Sequence, residues 1–352
     1  MRRRLATALL GAALATILVA GPTLACGGLI GPNGAVNLLR TTTLAGYHDG
    51  VEHYVTAFQF QGGGGAFGSI TPLPGVPSSV EKGGDWTLQR LIRETDPPVE
   101  RGGCFLCLGA AASAGDAEEL MKVRIDALDV TVLKGGAAAV GQWATEHGFR
   151  LPPDAPEVLE FYASRSPIFL AAVFDANAAA ERGQGIGDGT PVHITIPTPN
   201  PWVPIRILGL GKSGGGVVEA DVYLLTDRAP ALLPAPTGSN GMRIDHSDNA
   251  TQSLLSDLRS DTGMSWVPQS GWLTKIAIDA DGPQLSYDLA IDASGNANPS
   301  HVQAGLSAPE PVYVDNGVAE RLLLAGAIAL CVLLLVVIVL RPQTAAPLQP
   351  QG

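Results

Sequence analysis

Cys104-Phe-Leu-Cys107 is the pair whose side-chain type and spacing point most directly to chemistry. Two thiols at this spacing suit a disulfide, a thiol–disulfide exchange centre or half of a zinc knuckle. A redox centre wants its first cysteine at a helix N-terminus after a strand, whereas this pair sits in GGCFLCLGAAASAG, a loop of small residues. Zinc would want a second pair, and the other two cysteines, Cys26 and Cys331, stand far apart. The spacing leaves disulfide, redox, metal and free-thiol readings open. A disulfide between Cys104 and Cys107 is the expectation carried forward.

Other sets are weaker. Ser79-x-x-Lys82, Lys212-Ser213-Gly214 and Ser247-Asp248-Asn249 spell three motifs of serine acyl-enzymes. Their order is wrong, and Gly83-Gly84 denies Ser79 and Lys82 the helical turn that would bring them together. Arg206 stands where the first glycine of a P-loop would be. His48 and His53 flank an Asp49-Gly50 turn, so in a two-residue hairpin His48 opposes Val51 and His53 opposes Gly46. The two imidazoles then share a face as diagonal neighbours, a start for a metal site that lacks a visible third ligand. Asp279-x-Asp281-Gly282 and Asp292-x-Ser294-Gly295-Asn296 resemble fragments of calcium loops, and Asp-Gly turns account for both. His147 one turn from Trp143 reads as a packed helix end. No nucleophile elbow or zinc-protease motif occurs. No catalytic, cofactor-binding or metal residue is therefore assigned.

The elements that must position these residues are α+β, with largely antiparallel sheet and a few packed helices. Thr41 to Gln61 reads as a hairpin, followed by a short strand and a proline turn through Pro77. Asp85 is expected to cap a helix over 86–95, which Asp96-Pro97-Pro98 ends. Met121 to Val132 alternates in two phases, which predicts a bulge or bend near Ala127. Helices follow over 137–147 and from a capping box at Asp154 and Glu157 through Ala163. From Ser166 the chain reads as strands, with WVPIRILGL among them, one helix over 249–260 and a closing hairpin WLTKIAIDAD-GP-QLSYDLAID.

The ends place the protein. Leu322 to Leu340 carries no charged residue, lies between Arg321 and Arg341, and at ~1.5 Å per residue spans roughly 28 Å, a bilayer's hydrocarbon thickness. Met1 to Ala25 has the basic start, apolar run and small residues of a secretory signal. Cleavage there would leave Cys26 first, a processing or lipidation site, although Thr23 and Leu24 depart from a lipoprotein signal. The expected plan is a signal at 1–25, an extracytoplasmic domain at 26–292 and a stalk at 293–320. A transmembrane helix at 321–341 and a short cytoplasmic tail at 342–352 complete it. The domain admits two halves meeting near 101–115 or 165. Residues 26–320 hold 17 basic and 33 acidic residues, a formal charge of −16 that excludes nucleic acid as an expected partner.

The stretch Lys134 to Leu208, with KGGAAAVGQWATEHGFRLPPDAPEVLEFYASRSPIFLAAVFDA, TPVHITIP and WVPIRILGL, resembles the bacterial domain-of-unknown-function family numbered 2330. Cys26-Gly27-Gly28 and the prolines between Pro72 and Pro77 extend the likeness over most of the exported segment. The resemblance implies an exported, often membrane-anchored protein and lends no activity or cofactor. The expectation is a single-pass envelope protein of unknown activity, a binding or protein-interaction module whose partner is the membrane and an envelope protein or small ligand. The alternative is an envelope enzyme, either a thiol–disulfide oxidoreductase through Cys104 and Cys107 or a hydrolase without a recognisable motif.

Overall fold

Alternating apolar side chains build most of the sheet, and two-residue turns join a minority of its paired strands. After the short strands β1 (Gly28–Gly31) and β2 (Gly34–Ala35), β3 (Thr41–His48) and β4 (Val51–Ala57) meet at Asp49-Gly50. Both turn residues have positive φ, 48° and 77°, the handedness that matches strand twist in a tight hairpin. His48 faces Val51 and Gly46 faces His53, the register expected from the sequence. β5 (Phe67–Pro72), β6 (Ser79–Lys82) and helix α1 (Thr87–Thr95) follow. In this computed structural model the described residues are 28–31, 34–35, 41–57, 67–96, 119–174, 191–306, 326–328 and 333.

Several local expectations are corrected. Asp85 does not cap α1; Asp261 does, accepting from Asp85 N at 3.1 Å, Trp86 N at 3.0 Å and Thr87 Oγ1 at 2.8 Å. The two phases after Met121 belong to two strands, β7 (Glu119–Ile125) and β8 (Leu128–Lys134). They turn at Asp126-Ala127, with Asp126 at φ 52°, so of the bulge or bend expected near Ala127 the chain makes a bend, a full hairpin turn, and no bulge lies there. Helix α2 (Gly136–Glu146) stops before Gly148 at φ 70°, and α3 (Ala155–Ala163) follows. Asp154 and Glu157 form no capping box; both reach across to the next segment described below.

After β9 (Ile168–Phe174) and β10 (Val192–Pro197), WVPIRILGL is a two-residue strand, β11 (Trp202–Val203), and a 3-10 turn (Arg206–Gly209). β12 (Val217–Thr226), β13 (Ala231–Leu233), β14 (Met242–Asn249) and helix α4 (Gln252–Ser260) come next. β15 (Trp272–Asp281) and β16 (Leu289–Asp292) belong to different sheets, so the expected closing hairpin is absent. The short helix α5 (His301–Ala304) packs on β16, and Asp288 N donates to Ala304 O at 3.0 Å.

The described strands form three sheets, ordered β2-β1-β5-β9-β8-β7, β14-β15-β12-β3-β4-β10-β6 and β11-β16-β13. All pairings are antiparallel except β3 with β12. This bears out the α+β, antiparallel-rich class. In the seven-stranded sheet Leu44, Val55, Tyr223, Leu225 and Leu273 point to one face, where Leu88 and Leu91 of α1 and Leu254, Leu255 and Leu258 of α4 cover them. The alternate residues Ala45, Tyr54, Val222, Leu224 and Ile276 enter a second core shared with the six-stranded sheet, α2 and α3. Period-two alternation thus gives one sheet two apolar faces.

The chain divides into two units, Met1–Ser307 and Ala308–Gly352. In the second, Gly326–Ile328 and Leu333 are helical and exposed. The remainder of Leu322–Leu340 lies outside the described residues, as do Met1–Ala25, Cys26, Cys104 and Cys107. Among the described residues no helix is long and apolar enough to cross a membrane.

Candidate functional site

A cleft of about 260 Å³ opens between the start of α3, the 3-10 turn and the segment after β15. Asp154, Glu157, Val158, Arg206, Gly209, Ser213, Leu285 and Ser286 are among its lining residues. Its wall is held from behind by a buried network. Asp288 Oδ1 accepts from Tyr162 Oη at 2.8 Å, Ile205 N at 2.8 Å and Arg206 N at 3.0 Å. Tyr162 Oη in turn accepts from Ile207 N at 2.8 Å. Arg165 Nη2 donates to Asp288 Oδ2 at 2.7 Å and its guanidinium lies over the Phe161 ring at 3.9 Å. The orphan N–H groups at the start of the 3-10 turn are thereby satisfied, and the backbone beside the cleft has one arrangement. Burial, with Asp288 beside it, raises the Tyr162 phenol well above its ordinary value, so it stays a donor to Asp288.

Arg206 faces the cleft with its guanidinium 4.2 Å over Phe161, paired with Glu157. The Arg206 side chain is 18 % exposed and that of Glu157 is 77 % exposed. A largely sheltered, stacked cation thus has a counter-ion that is largely exposed to solvent. Guanidinium presents a planar fork that a carboxylate or phosphate can occupy bidentately. Asp154 is committed elsewhere, both oxygens accepting from Gly211 N at 3.0 and 2.9 Å. Lys212 donates to Val217 O at 2.8 Å, and burial lowers its amine.

The acyl-enzyme letters are not assembled. Ser79 and Lys82 are on β6, with Lys82 paired to Asp85 at 2.9 Å and Asp126 at 3.2 Å. Ser247 accepts from Trp272 Nε1 at 2.9 Å on edge strand β14, and Lys212 bonds Val217. The calcium-like fragments are turns: Asp292 accepts from Ser294 N at 2.7 Å and Asn298 N at 2.8 Å, and Asp281 forms a capping box with Gln284. His147 Nδ1 donates within its own helix end to Trp143 O at 2.8 Å.

His48 and His53 have the expected register but different partners. His48 sits 2.6 Å from Asp227 and 3.2 Å from Asp49. His53 Nδ1 lies 3.0 Å from His193 Nε2, and its ring stacks on Trp266 at 4.1 Å with an interplanar angle of 1°. Gly46 makes room for that indole: a Cβ there would run into the Trp266 ring. Burial, and for His53 also His193 beside it, lowers both imidazoles to about 4, so they are neutral at pH 7. Among the described residues no three His, Cys, Asp or Glu side chains group as a metal would need. His193 was missed in the sequence; its signal is the polar alternation of His193 and Thr195 within an otherwise apolar strand.

Residues 21–257 match the sequence family described as an uncharacterized protein conserved in bacteria, DUF2330. No curated protein matches the chain. Among solved structures, the chain is similar to a mutated baculovirus P35 after caspase cleavage, at 6 % identity and TM-score 0.38 over 73 % of this chain and 98 % of that one. A second such structure has 11 % identity and TM-score 0.35, over 72 % of this chain and 94 % of that one. Baculovirus P35 itself has 11 % identity and TM-score 0.35, over 73 % and 92 %. Likenesses of this size carry no argument.

Proposed function

The chain belongs to the bacterial DUF2330 family, and we propose that it is a binding module of the cell envelope, held at the membrane by Leu322–Leu340 with its folded domain extracytoplasmic. The ligand class we propose is a small molecule carrying a carboxylate or phosphate, seated at Arg206. The observation that supports this is the cleft itself: a stacked guanidinium on a wall locked by Asp288, paired with a counter-ion that is largely exposed to solvent. Pre-organisation of this kind lowers the ordering cost of binding. The uncharged 19-residue run and the signal-like start support the location.

The test is a thermal-shift screen of the detergent-solubilised full chain against small carboxylates and phosphates, run beside Arg206→Ala. A compound that raises Tm in the wild type and not in the variant supports the reading. Equal shifts in both chains, or none across the panel, argue against it. Protease digestion of intact cells should remove residues 26–320; full protection would overturn the proposed orientation.

A further inference from the structure

Lys275 stands inside the molecule, 2 % exposed, on the face of the seven-stranded sheet covered by α1 and α4. Its Nζ contacts the carboxylate of Asp96, the residue that ends α1, and lies 3.7 Å from Oδ1 of Asp221. Asp221 is 3 % exposed on the neighbouring strand β12. Lys275 faces Tyr223 across the pair, which makes Asp221 its diagonal neighbour on the same face. The Tyr223 ring lies 6.0 Å from the amine, and its hydroxyl is 3.1 Å from Thr95 Oγ1. The amine and the Asp221 carboxylate are therefore withdrawn from water, while Asp96 joins them from the surface.

An ion pair in such a position gains little, because the loss of hydration offsets the attraction. An amide in the same position carries no charge. We propose that Lys275 and Asp221 are joined by an intramolecular isopeptide bond, with Asp96 as the proton-transfer group. Asp96 takes a proton from the Lys275 ammonium, and the freed lone pair attacks Cγ of Asp221. The C–N bond forms as one C–O bond of Asp221 breaks. The departing oxygen leaves as water, carrying two of the three ammonium protons, one of them returned by Asp96. One ammonium and one carboxylate become one amide and one water, with no oxidant or reductant. The Asp96 side chain is 51 % exposed, which gives proton and water a route out.

The test is the intact mass of the full chain after thiol reduction, compared with Lys275→Met, followed by peptide mapping. The wild type should be one water lighter than its sequence, allowing for the substitution and for the N-terminal processing common to both. A branched peptide should join Lys275 to Asp221. Asp96→Asn should abolish or strongly slow the loss of water. A wild-type mass without the deficit overturns the proposal, and needs no variant to fold. A deficit that persists in Lys275→Met, or a branch that maps to another acid, also overturns it. Full-yield bonding in Asp96→Asn removes Asp96 from the step.

Discussion

Glu52 gives the sharpest energetic prediction. It lies on β4 between Tyr47 and Ile196, wholly buried, and burial raises its carboxyl from 4.5 to about 8. Its oxygens make no hydrogen bond of normal geometry, and the nearby Trp202 main-chain N–H pulls the value only part of the way back. In the unfolded chain the group returns to its ordinary value. Between pH 4.5 and 8 the folded protein therefore keeps a proton that the unfolded chain releases. The contribution to stability is full below pH 4.5 and is lost as pH rises to about 8, at about 1.4 kcal/mol per unit, or about 5 kcal/mol in all. His53 and His193 act in the opposite sense, since their lowered values cost stability only as pH falls below 6.5 toward about 4. The window from pH 6.5 to 8 therefore isolates Glu52, with an expected loss of about 2 kcal/mol. Urea unfolding at these two pH values, followed by tryptophan fluorescence, should show that loss in the wild type and not in Glu52→Gln. Groups common to both chains cancel in the comparison. Equal pH dependence in wild type and variant would refute the reasoning.

Three further outcomes are expected. His193→Gln should flatten the acid limb between pH 6.5 and 4, recovering at most about 3 kcal/mol of the wild-type loss, as read by the same unfolding curves. If both chains lose stability alike on acidification, the imidazole is not the group responsible. Asp261→Ala removes three hydrogen bonds from the start of α1 and should cost about 2–3 kcal/mol, whereas Asp85→Ala should cost well under 1 kcal/mol. Gly46→Ala should push Trp266 off His53, shift indole emission to the red and destabilise by about 1–3 kcal/mol; an unchanged spectrum would contradict the packing.

What the sequence made legible was local. Asp-Gly at 49–50 carries its own turn geometry, so hairpin and register could be read together. Asp126-Ala127 was misread because alanine advertises no turn, and the positive φ falls on a residue that tolerates it only moderately well. The caps failed for a different reason. Asp85, Asp154 and Glu157 have the right letters at the right offsets, yet each carboxylate found a partner outside its own helix: Lys82, Gly211 and Arg206. Asp261 caps a helix more than 170 residues away, and no local window contains both. The cleft is equally non-local, since Arg206 acquires its meaning from Phe161, Glu157 and Asp288.

The lone parallel seam has a consequence in time. β3 joins β12, with Thr41 beside Ala220, at the middle of the seven-stranded sheet. At roughly 5–20 residues per second, the partner strand is made about 10–40 s after β3. The β3–β4 hairpin must spend that interval with the β12 edge of β3 open. Hairpins in that state pair readily with neighbouring chains. The nascent N-terminal third is thus the aggregation-prone phase of this protein's life, and slow synthesis or delayed release of the C-terminal half should increase demand for a holding chaperone.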